Sequence, residues 1–367
     1  MYMKLECLKD KFRQAVNQAE RATSKNSTLL ILNTVLLEAK NNKFKIKATN
    51  LEIGLEIEFN AKVEEEGIVA VNARVLNNFL TNLNKEDKVK IELINNNLKI
   101  ETSNSKTTLK SLNTEDFPII PKVDNQESFK IKAKDFLSGI HSVLFASAVS
   151  DIKPEISSVY IYQQQNKICF VATDSFRLSE KTISVVINDF PPIIIPFKNI
   201  IEIIRVFDNL EDDLEIKTDK HQLSIFSSEI HFTTRIIDGI YPDYRQIIPK
   251  EFKTEVLISR TELLNALKLA NIFSDRFNQV DINLNPKTKE LTIHSLNQEV
   301  GENILTLKIE ITGEDLNLSL NVKYLLDCLS IITEDTLKIQ LNEKNRPLLI
   351  SSQNNNSFHY LVMPINR

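Results

Sequence analysis

Apolar residues recur at helical spacing in two kinds of segment, and each kind occurs three times along the chain. The triplets are Phe12/Ala15/Val16, Phe136/Gly139/Ile140 and Leu263/Ala266/Leu267 for the first kind, and Leu76/Phe79/Leu80, Ile200/Ile203/Ile204 and Leu325/Cys328/Leu329 for the second. Residues at i, i+3 and i+4 share one stripe of a helix. The pattern therefore predicts six helices, each with one buried face.

Between these helices, apolar and polar residues alternate, as in residues 43–47 and 88–93. A period of two is typical of half-buried strands. The same order of elements repeats at a fixed distance. Residues 48–50 (Ala-Thr-Asn) return 124 positions later as 172–174 (Ala-Thr-Asp), and Phe117-Pro118 returns as Tyr241-Pro242, again 124 later. We expect Met363-Pro364, 122 positions further on, to close the third copy.

A shared offset indicates a repeated structural unit. The sequence predicts an α+β fold with three tandem copies of one two-helix, multi-strand domain. The predicted domains are residues 1–125, 126–251 and 252–367, each of ordinary domain size. Apolar residues make up 42% of the chain, enough for three cores.

Composition favours a cytoplasmic protein without a membrane segment. No stretch is long and apolar enough to cross a bilayer, and residues 1–6 lack the features of a signal peptide. Cys7, Cys169 and Cys328 are widely spaced and odd in number. We expect them to be reduced thiols.

Motifs for chemistry are missing. The six glycines are isolated, so no P-loop or dinucleotide fingerprint can be written, and the five histidines show no metal-ligand spacing. Acidic pairs such as Asp212-Asp213 lie in polar turns and fit a solvated surface. We predict no cofactor, no metal and no catalytic residue.

The second helix of each repeat carries a base two positions before its first apolar residue, at Arg74, Lys198 and Lys323. Two positions correspond to about 200° of rotation, so these side chains should point away from the core. The net charge of −4 disfavours simple DNA binding. Bases on an inner surface would resolve the conflict if the protein surrounds DNA, and head-to-tail pairing of sheet edges would close a ring.

Several motifs in the right order resemble those of the bacterial sliding clamp family, the beta subunit of DNA polymerase III. They are residues 171–178 (VATDSFRL), 238–245 (DGIYPDYR), 321–327 (NVKYLLD) and 362–364 (VMP). The resemblance covers essentially the whole chain. It implies a homodimeric ring around double-stranded DNA that is placed there by a clamp loader. Such a ring tethers the replicative DNA polymerase and other proteins with a clamp-binding motif.

The resemblance also implies three sets of site residues. A partner-peptide pocket is expected at Ile156, Thr173, Ser175, Phe176, Arg177, Leu178, Pro242, Ile247, Pro347, Leu361, Val362, Met363 and Pro364. Together with the repeat pattern, it implies DNA contacts at Lys25, Arg74, Lys153, Lys198, Arg205, Asn321, Lys323 and Tyr324. At the dimer interface, Thr107 and Leu109 should face Ile272 and Phe273, while Lys106 and Arg74 meet acids near Glu299 and Glu302.

Two alternatives stay open at this point. A carboxylate-dependent hydrolase would need convergent acids, which the repeat does not supply at matched positions. A repeat-built scaffold that binds no nucleic acid would explain the acidic surface but leaves the three matched bases without a purpose. Ser175-Phe176 and the ending Ile365-Asn366-Arg367 depart from the family pattern, so the peptide preference cannot be taken from the resemblance.

Overall fold

The computed structural model describes residues 2–24, 28–83, 87–123, 128–150, 152–185 and 189–365. Lys25, a predicted DNA contact, lies outside these ranges, as do Asn366 and Arg367. The six predicted helices are confirmed within them. They are α1 (Lys9–Arg21), α2 (Ala73–Asn82), α3 (Ala133–Leu144), α4 (Phe197–Phe207), α5 (Arg260–Ile272) and α6 (Val322–Ile331).

The helices bury the faces that their apolar spacing predicts. Phe12, Ala15 and Val16 of α1 are each at most 2% exposed. Phe79 and Ile204 are only half-buried, so these two residues lie at the edge of the buried stripe in α2 and α4, whereas Leu80 and Ile203 are fully buried. Local periodicity was sufficient for these elements because one helix face is set by residues within two turns.

The strands are short and every described ladder between them is antiparallel, which suits hairpin connections. In the first third of the chain they are β1 (Lys4–Leu8), β2 (Thr34–Lys40), β3 (Lys43–Thr49), β4 (Ile53–Asn60), β5 (Lys62–Glu65), β6 (Gly67–Asn72), β7 (Lys88–Ile94), β8 (Asn97–Glu101) and β9 (Lys106–Leu112). In the middle they are β10 (Ser128–Lys132), β11 (Ser158–Gln164), β12 (Lys167–Thr173), β13 (Arg177–Ser184), β14 (Ile193–Pro196), β15 (Asp213–Thr218), β16 (Gln222–Phe226) and β17 (Ile230–Arg235). The last third contains β18 (Thr254–Ser259), β19 (Gln279–Asn285), β20 (Glu290–Asn297), β21 (Gly301–Lys308), β22 (Glu310–Gly313), β23 (Leu316–Asn321), β24 (Thr336–Leu341), β25 (Leu348–Ser352) and β26 (Phe358–Val362). The predicted strands at 43–47 and 88–93 lie within β3 and β7.

One compact unit comprises Met1–Leu137, Ile187–Pro191 and Lys198–Asp238. Its strands form a single sheet in the order β10-β15-β16-β17-β4-β3-β2-β6-β9-β8-β7-β1-β5. The pairing of β17 with β4 joins strands of the first and second repeats. We call this pairing the first junction.

The other compact unit comprises Ser138–Val186, Pro192–Phe197 and Gly239–Arg367. It contains a nine-stranded sheet in the order β14-β11-β12-β13-β26-β25-β24-β18-β22 and a four-stranded sheet in the order β21-β20-β19-β23. The pairing of β13 with β26 joins the second and third repeats, and we call it the second junction. The sheets thus run across the repeat limits, and the domain limits at 125 and 251 stay a prediction.

Two of the matched pairs occupy equivalent places in their repeats. Phe117 packs on the cluster that contains Leu36, and Tyr241 stacks on Tyr160, the residue 124 positions after Leu36, with 4.6 Å between ring centroids. Met363-Pro364 follows directly after β26, the last strand of the chain. That this pair closes the third copy stays a prediction.

The three cysteines are buried and none forms a disulfide. Burial raises the pKa of the Cys7 thiol to about 12, which keeps it protonated and unreactive at neutral pH. In the part of the chain that the structure describes, no helix combines the length and apolar character needed to cross a membrane.

Candidate partner groove and nucleic-acid interface

A tight turn between β12 and β13, residues Thr173–Arg177, forms the centre of the predicted partner site. We call it the groove turn. Asp174 Oδ1 accepts hydrogen bonds from the backbone N–H groups of Phe176 and Arg177, both at 2.9 Å. The Thr173 hydroxyl donates to the Arg177 carbonyl at 2.7 Å. Ser175 adopts a positive φ of 77°, a conformation that costs energy for a non-glycine residue and that these bonds hold in place.

The second junction brings the C-terminal strand to this turn. β13 and β26 pair with Arg177 opposite Val362 and Leu178 opposite Leu361. The Met363 N–H then donates to the Phe176 carbonyl at 2.8 Å. Leu178, Leu361 and Val362 are at most 2% exposed, so they form the floor, whereas Phe176 is 62% exposed at the rim.

Ile156 and Pro347 also lie beside the turn. The Ala148 N–H approaches both the Ile156 carbonyl (3.1 Å) and the Thr173 carbonyl (3.3 Å), which ties the Ile156 segment to the start of the turn. Pro347 directly precedes Leu348, which pairs with Val362. Pro364 follows Met363 and is buried. The structure therefore brings most of the predicted pocket residues together at one place.

Pro242 precedes a short 3-10 helix, Tyr244–Ile247, and Ile247 is its last residue. A buried polar network fixes this helix. The Tyr244 hydroxyl lies 2.7 Å from that of Tyr162 and also donates to the Glu180 carboxylate. Burial would raise the pKa of the Glu180 carboxyl, but hydrogen bonds from His359 and Tyr244 lower it below its ordinary value. Glu180 therefore stays ionised and holds this segment against β13.

Arg177 was predicted to line the partner pocket, but its side chain is bound within the protein. Nε donates to Asp174 Oδ2 at 3.0 Å, and Nη1 donates to Asp327 Oδ2 of α6 at 2.6 Å. The guanidinium carbon lies 4.3 Å from the centre of the Tyr324 ring. Only 11% of the side chain is exposed. Burial alone would lower the pKa of Arg177, but the Asp327 bond raises it above its ordinary value, so the charge is permanent.

The predicted outward bases are exposed, as the helical spacing requires. Arg74, Lys198 and Lys323 all lie on the solvent side of their helices, and Lys153 is exposed on the loop before β11. Arg205 is also exposed but donates to Glu202 at 2.6 Å. A nucleic acid would have to compete with that carboxylate for Arg205.

Two predicted DNA contacts have other roles in the structure. The Asn321 side chain accepts the backbone N–H groups of Lys323 and Tyr324, so it caps the N-terminus of α6. Tyr324 stacks on Arg177 beside the groove turn. Consecutive helix residues are about 100° apart, which directs Lys323 to solvent and Tyr324 toward the groove.

The first half of the predicted dimer interface is an edge strand. β9 pairs with β8 through residues 106–110 but reaches β6 only at Ser111 and Leu112, so its outer edge is unpaired over most of its length. Thr107 and Leu109 are half-buried and share the face of the buried Ile100 and Leu98. Lys106 forms an ion pair with Glu101 at 3.0 Å.

The second half lies at the end of α5 and on β21, which is an edge strand of the four-stranded sheet. Ile272 is 60% exposed, and Phe273 is half-buried above Gly301. Glu299 is exposed, and Glu302 binds His294 at 2.7 Å. The sequence analysis missed Ile304, which is 64% exposed on β21. An apolar residue on the polar face of an alternating strand was the signal for it.

Among the described residues no group of three or more His, Cys, Asp or Glu side chains is placed to hold a metal ion. The described residues form repeated α+β elements, and strands β9 and β21 each have an outer edge that pairs with no described strand over most of its length. Together with the groove at the groove turn, these features are those of a clamp subunit. Models of the DNA polymerase III beta subunit match it in three parts. The N-terminal domain matches residues 3–121, the central domain 130–243 and the C-terminal domain 245–366. The chain therefore belongs to the DNA polymerase III beta subunit family, as its motifs predicted.

Individual relatives agree. The beta sliding clamp of Synechococcus elongatus is 27% identical over 372 residues, and that of Bacillus subtilis is 25% identical over 381 residues; 99% of each chain is covered in both cases. Among solved structures, the DNA polymerase III subunit beta of Pseudomonas aeruginosa aligns with a TM-score of 0.94 and covers 100% of both chains at 24% identity. A sliding clamp from the same organism, bound to griselimycin, aligns with a TM-score of 0.95 at 24% identity and full coverage. These structures confirm the predicted fold.

Proposed function

We propose that this chain is a sliding clamp, a non-catalytic subunit that encircles double-stranded DNA and keeps the replicative DNA polymerase on its template. The observation that carries the proposal is the match of all three beta subunit domains, from residue 3 to residue 366, together with relatives named beta sliding clamp over 99% of the chain. A tethered polymerase that releases DNA stays near it, so rebinding is fast without a tighter contact. The implied location is the cytoplasm, and the implied partners include a clamp loader.

The ring is proposed to be a head-to-tail homodimer. The unpaired edges of β9 and β21 support this arrangement, because strand edges of this kind are normally covered or paired. Thr107 and Leu109 of one subunit would meet Ile272 and Phe273 of the other. Lys106 and Arg74 would lie near Glu299 and Glu302, but exposed ion pairs contribute only about 0–1 kcal/mol each. The apolar contact should therefore dominate closure.

DNA would be held by weak contacts that carry no sequence preference. The exposed positions of Arg74, Lys198 and Lys323 at one repeat site support this role, and Lys25, Lys153 and Arg205 are further proposed contacts. Because the net charge is −4, electrostatic attraction cannot hold the protein on DNA by itself. Retention would be topological.

The groove at the second junction is proposed to bind short linear motifs of the polymerase and other partners. Its buried floor of Leu178, Leu361 and Val362 suits an apolar anchor residue, and Met363 adds a flexible wall. The exposed Phe176 ring at the rim is available to a partner side chain.

A loading experiment on circular and linear DNA tests the function. After loading by a clamp loader, the protein should stay on nicked circular DNA through a gel-filtration column and leave once that DNA is linearised. Binding to a short duplex should be weak and strongly salt-dependent. Tight, sequence-specific binding to a short linear duplex would contradict a clamp.

A further inference from the structure

Arg177 is the point where the groove turn, the C-terminal strand and helix α6 meet. Its backbone lies opposite Val362 in the second junction. Its guanidinium binds Asp174 inside the turn and Asp327 on α6. On the helix side, the Tyr360 hydroxyl of β26 donates to the Tyr324 carbonyl at 3.0 Å, which anchors α6 to the same strand. The ion pair from Arg177 to Asp327 therefore links the turn to a fixed helix.

A second turn in the chain shows that the groove turn does not depend on the ion pair between Arg177 and Asp327. Residues Thr49–Ile53 form the same turn in the first unit: Leu51 has a φ of 76°, and Asn50 Oδ1 accepts the N–H groups of Glu52 and Ile53 at 3.0 and 2.8 Å. The Thr49 hydroxyl donates to the Ile53 carbonyl at 2.8 Å. This turn forms with Ile53 where the groove turn has Arg177. The arginine is therefore not needed to shape the backbone.

The acidic residue at this helix position has a different partner in α4 and in α6. Lys198 of α4 and Lys323 of α6 hold the same repeat position, which makes Glu202 the equivalent of Asp327. Glu202 binds Arg205 of its own helix at 2.6 Å. Asp327 instead reaches across to a residue 150 positions away. The cross-link from helix to turn thus occurs at the second junction, which carries the proposed groove, while Glu202, the counterpart of Asp327, makes a pair within its own helix.

We propose that Asp327 is a positioning residue for partner binding, which rests on the proposed function of the groove. It holds Arg177, and through Arg177 it fixes the position of the groove turn, with the exposed Phe176 ring at its rim, relative to α6. The groove wall is then already ordered before a partner motif binds. Binding therefore does not have to supply the free energy of ordering it, and less affinity is lost. Asp327 itself need not touch the partner.

The test is a double-mutant cycle on peptide affinity. A short Gln- and Leu-containing peptide is titrated by calorimetry into wild type, Asp327→Asn, Arg177→Gln and the double variant. Asp327→Asn should weaken the peptide about threefold to tenfold, the range typical of residues that act through a neighbour. The double variant should bind no more weakly than Arg177→Gln alone, and Asp327→Glu should restore most of the affinity.

A second readout works without peptide. The chain has no tryptophan, so Phe176→Trp places a single fluorescent reporter at the rim. Adding Asp327→Asn should shift or broaden its emission, whereas adding Glu202→Gln, the matched helix position, should change neither the emission nor the peptide affinity. A residue that serves only global stability would lower the melting temperature without moving the reporter in the folded state.

The possible outcomes separate the two proposals. If wild type fails to bind any clamp-binding peptide, the groove function is wrong, whatever the reporter does. If wild type binds and Asp327→Asn binds equally well, or if the two single losses simply add, the positioning role of Asp327 is overturned while the groove stands.

Discussion

The first and second junctions share a Glu–His contact and a tight turn, and they differ in the residues beside that turn. In the first, Glu56 of β4 lies opposite His231 of β17, and in the second, Glu180 of β13 lies opposite His359 of β26. The carboxylate oxygen lies 3.7 Å from the imidazole Nδ1 in the first pair and 3.6 Å in the second. Both junctions also begin with the same turn. These shared parts join strands of successive repeats, so we assign them to stability.

The junctions differ next to the turn. In the first, Gly54 takes the place of Leu178, and Ile120 lies so close that a Cβ on Gly54 would be 2.7 Å from its Cγ2. Ile120 is only 7% exposed, so the chain fills that space with its own residue. In the second, Arg177 and Leu178 shape the groove, and the turn is tied to α6. We assign these differences to the proposed binding role of the second junction.

The predicted subunit seam would be a third junction, and it lacks the Glu–His pair. Lys106 is the first residue of β9 to pair with β8 after their hairpin turn. His231 is likewise the first residue of β17 to pair with β16. The proposed seam would thus place Lys106 where the internal junctions have histidine. The proposed seam therefore differs from both internal junctions, which each contain a Glu–His contact.

The largest expected effect is at that seam. Changing Ile272 and Phe273 together to Ala removes the exposed apolar end of α5, and we expect monomers in light scattering with an unchanged circular dichroism spectrum. The apolar contact carries closure because exposed ion pairs contribute so little. Ile240→Ala is the control, since Ile240 is 91% exposed but outside the edge strands. A double variant that stays dimeric would remove our assignment of the seam.

The next effect is at the second junction. Deleting Met363 to Arg367 removes one groove wall and the bond from the Met363 N–H to the Phe176 carbonyl. Loss of an anchor site costs about 2 kcal/mol or more, so peptide affinity should fall roughly 30-fold, measured by calorimetry. The dimer should persist, because its edge strands are intact. Equal peptide affinity for both proteins would mean that the groove has been placed on the wrong residues.

Sequence reasoning was sufficient where the signal is local and failed where it depends on distant contacts. The helices and the outward positions of Arg74, Lys198 and Lys323 follow from periodicity alone. The pair formed by Arg177 and Asp327 joins residues 150 positions apart, and no pattern along the chain announces it. The motif match placed Arg177 among the predicted pocket residues but could not show that its Nε and Nη1 groups already bind Asp174 and Asp327.

Two residues near Lys323 have contacts in the structure that the family resemblance did not indicate. Tyr324, which the resemblance assigned to DNA, lies about 100° around α6 from Lys323 and stacks on Arg177 on the groove side. Asn321 was placed with the DNA contacts, although an asparagine directly before a helix is also a typical cap. The Glu–His pairs were missed because His231 and His359 were judged by metal-ligand spacing, while their partners lie on other strands.

A smaller effect concerns the first Glu–His pair and its dependence on pH. Burial would raise the pKa of Glu56, but contacts from His231 and Lys122 lower it from an ordinary value of 4.5 to about 2. A lowered folded-state pKa stabilises the protein above pH 4.5, and that stabilisation is lost as the pH falls toward 2. Glu56→Gln should therefore reduce the free energy of unfolding by about 2–3 kcal/mol at pH 6 and by less at pH 3, measured by urea titration.

Glu229→Gln is the control for that experiment, because Glu229 forms an exposed pair with Lys11 at 3.1 Å. Its effect should stay within about 0.5 kcal/mol at either pH. Glu180→Gln should show the same direction as Glu56→Gln, since its pKa is also lowered. A Glu56→Gln effect that does not shrink between pH 6 and pH 3 would show that the junction does not depend on the ionised carboxylate.

The smallest expected effect compares the outer faces of α4 and α6. Each phosphate contact contributes about 0.9 to the slope of log K against log salt concentration on duplex DNA. Lys323 is exposed and makes no ion pair with any residue that the structure describes, whereas Arg205 is held by Glu202 at 2.6 Å. Lys323→Gln should therefore lower the slope by about 0.9, and Arg205→Gln should lower it by less, because binding DNA there first breaks an internal pair. Fluorescence anisotropy of a short labelled duplex at several low salt concentrations measures both slopes. An unchanged slope for Lys323→Gln would exclude this lysine from the DNA surface, and a larger change for Arg205→Gln would show that its pair with Glu202 opens on DNA.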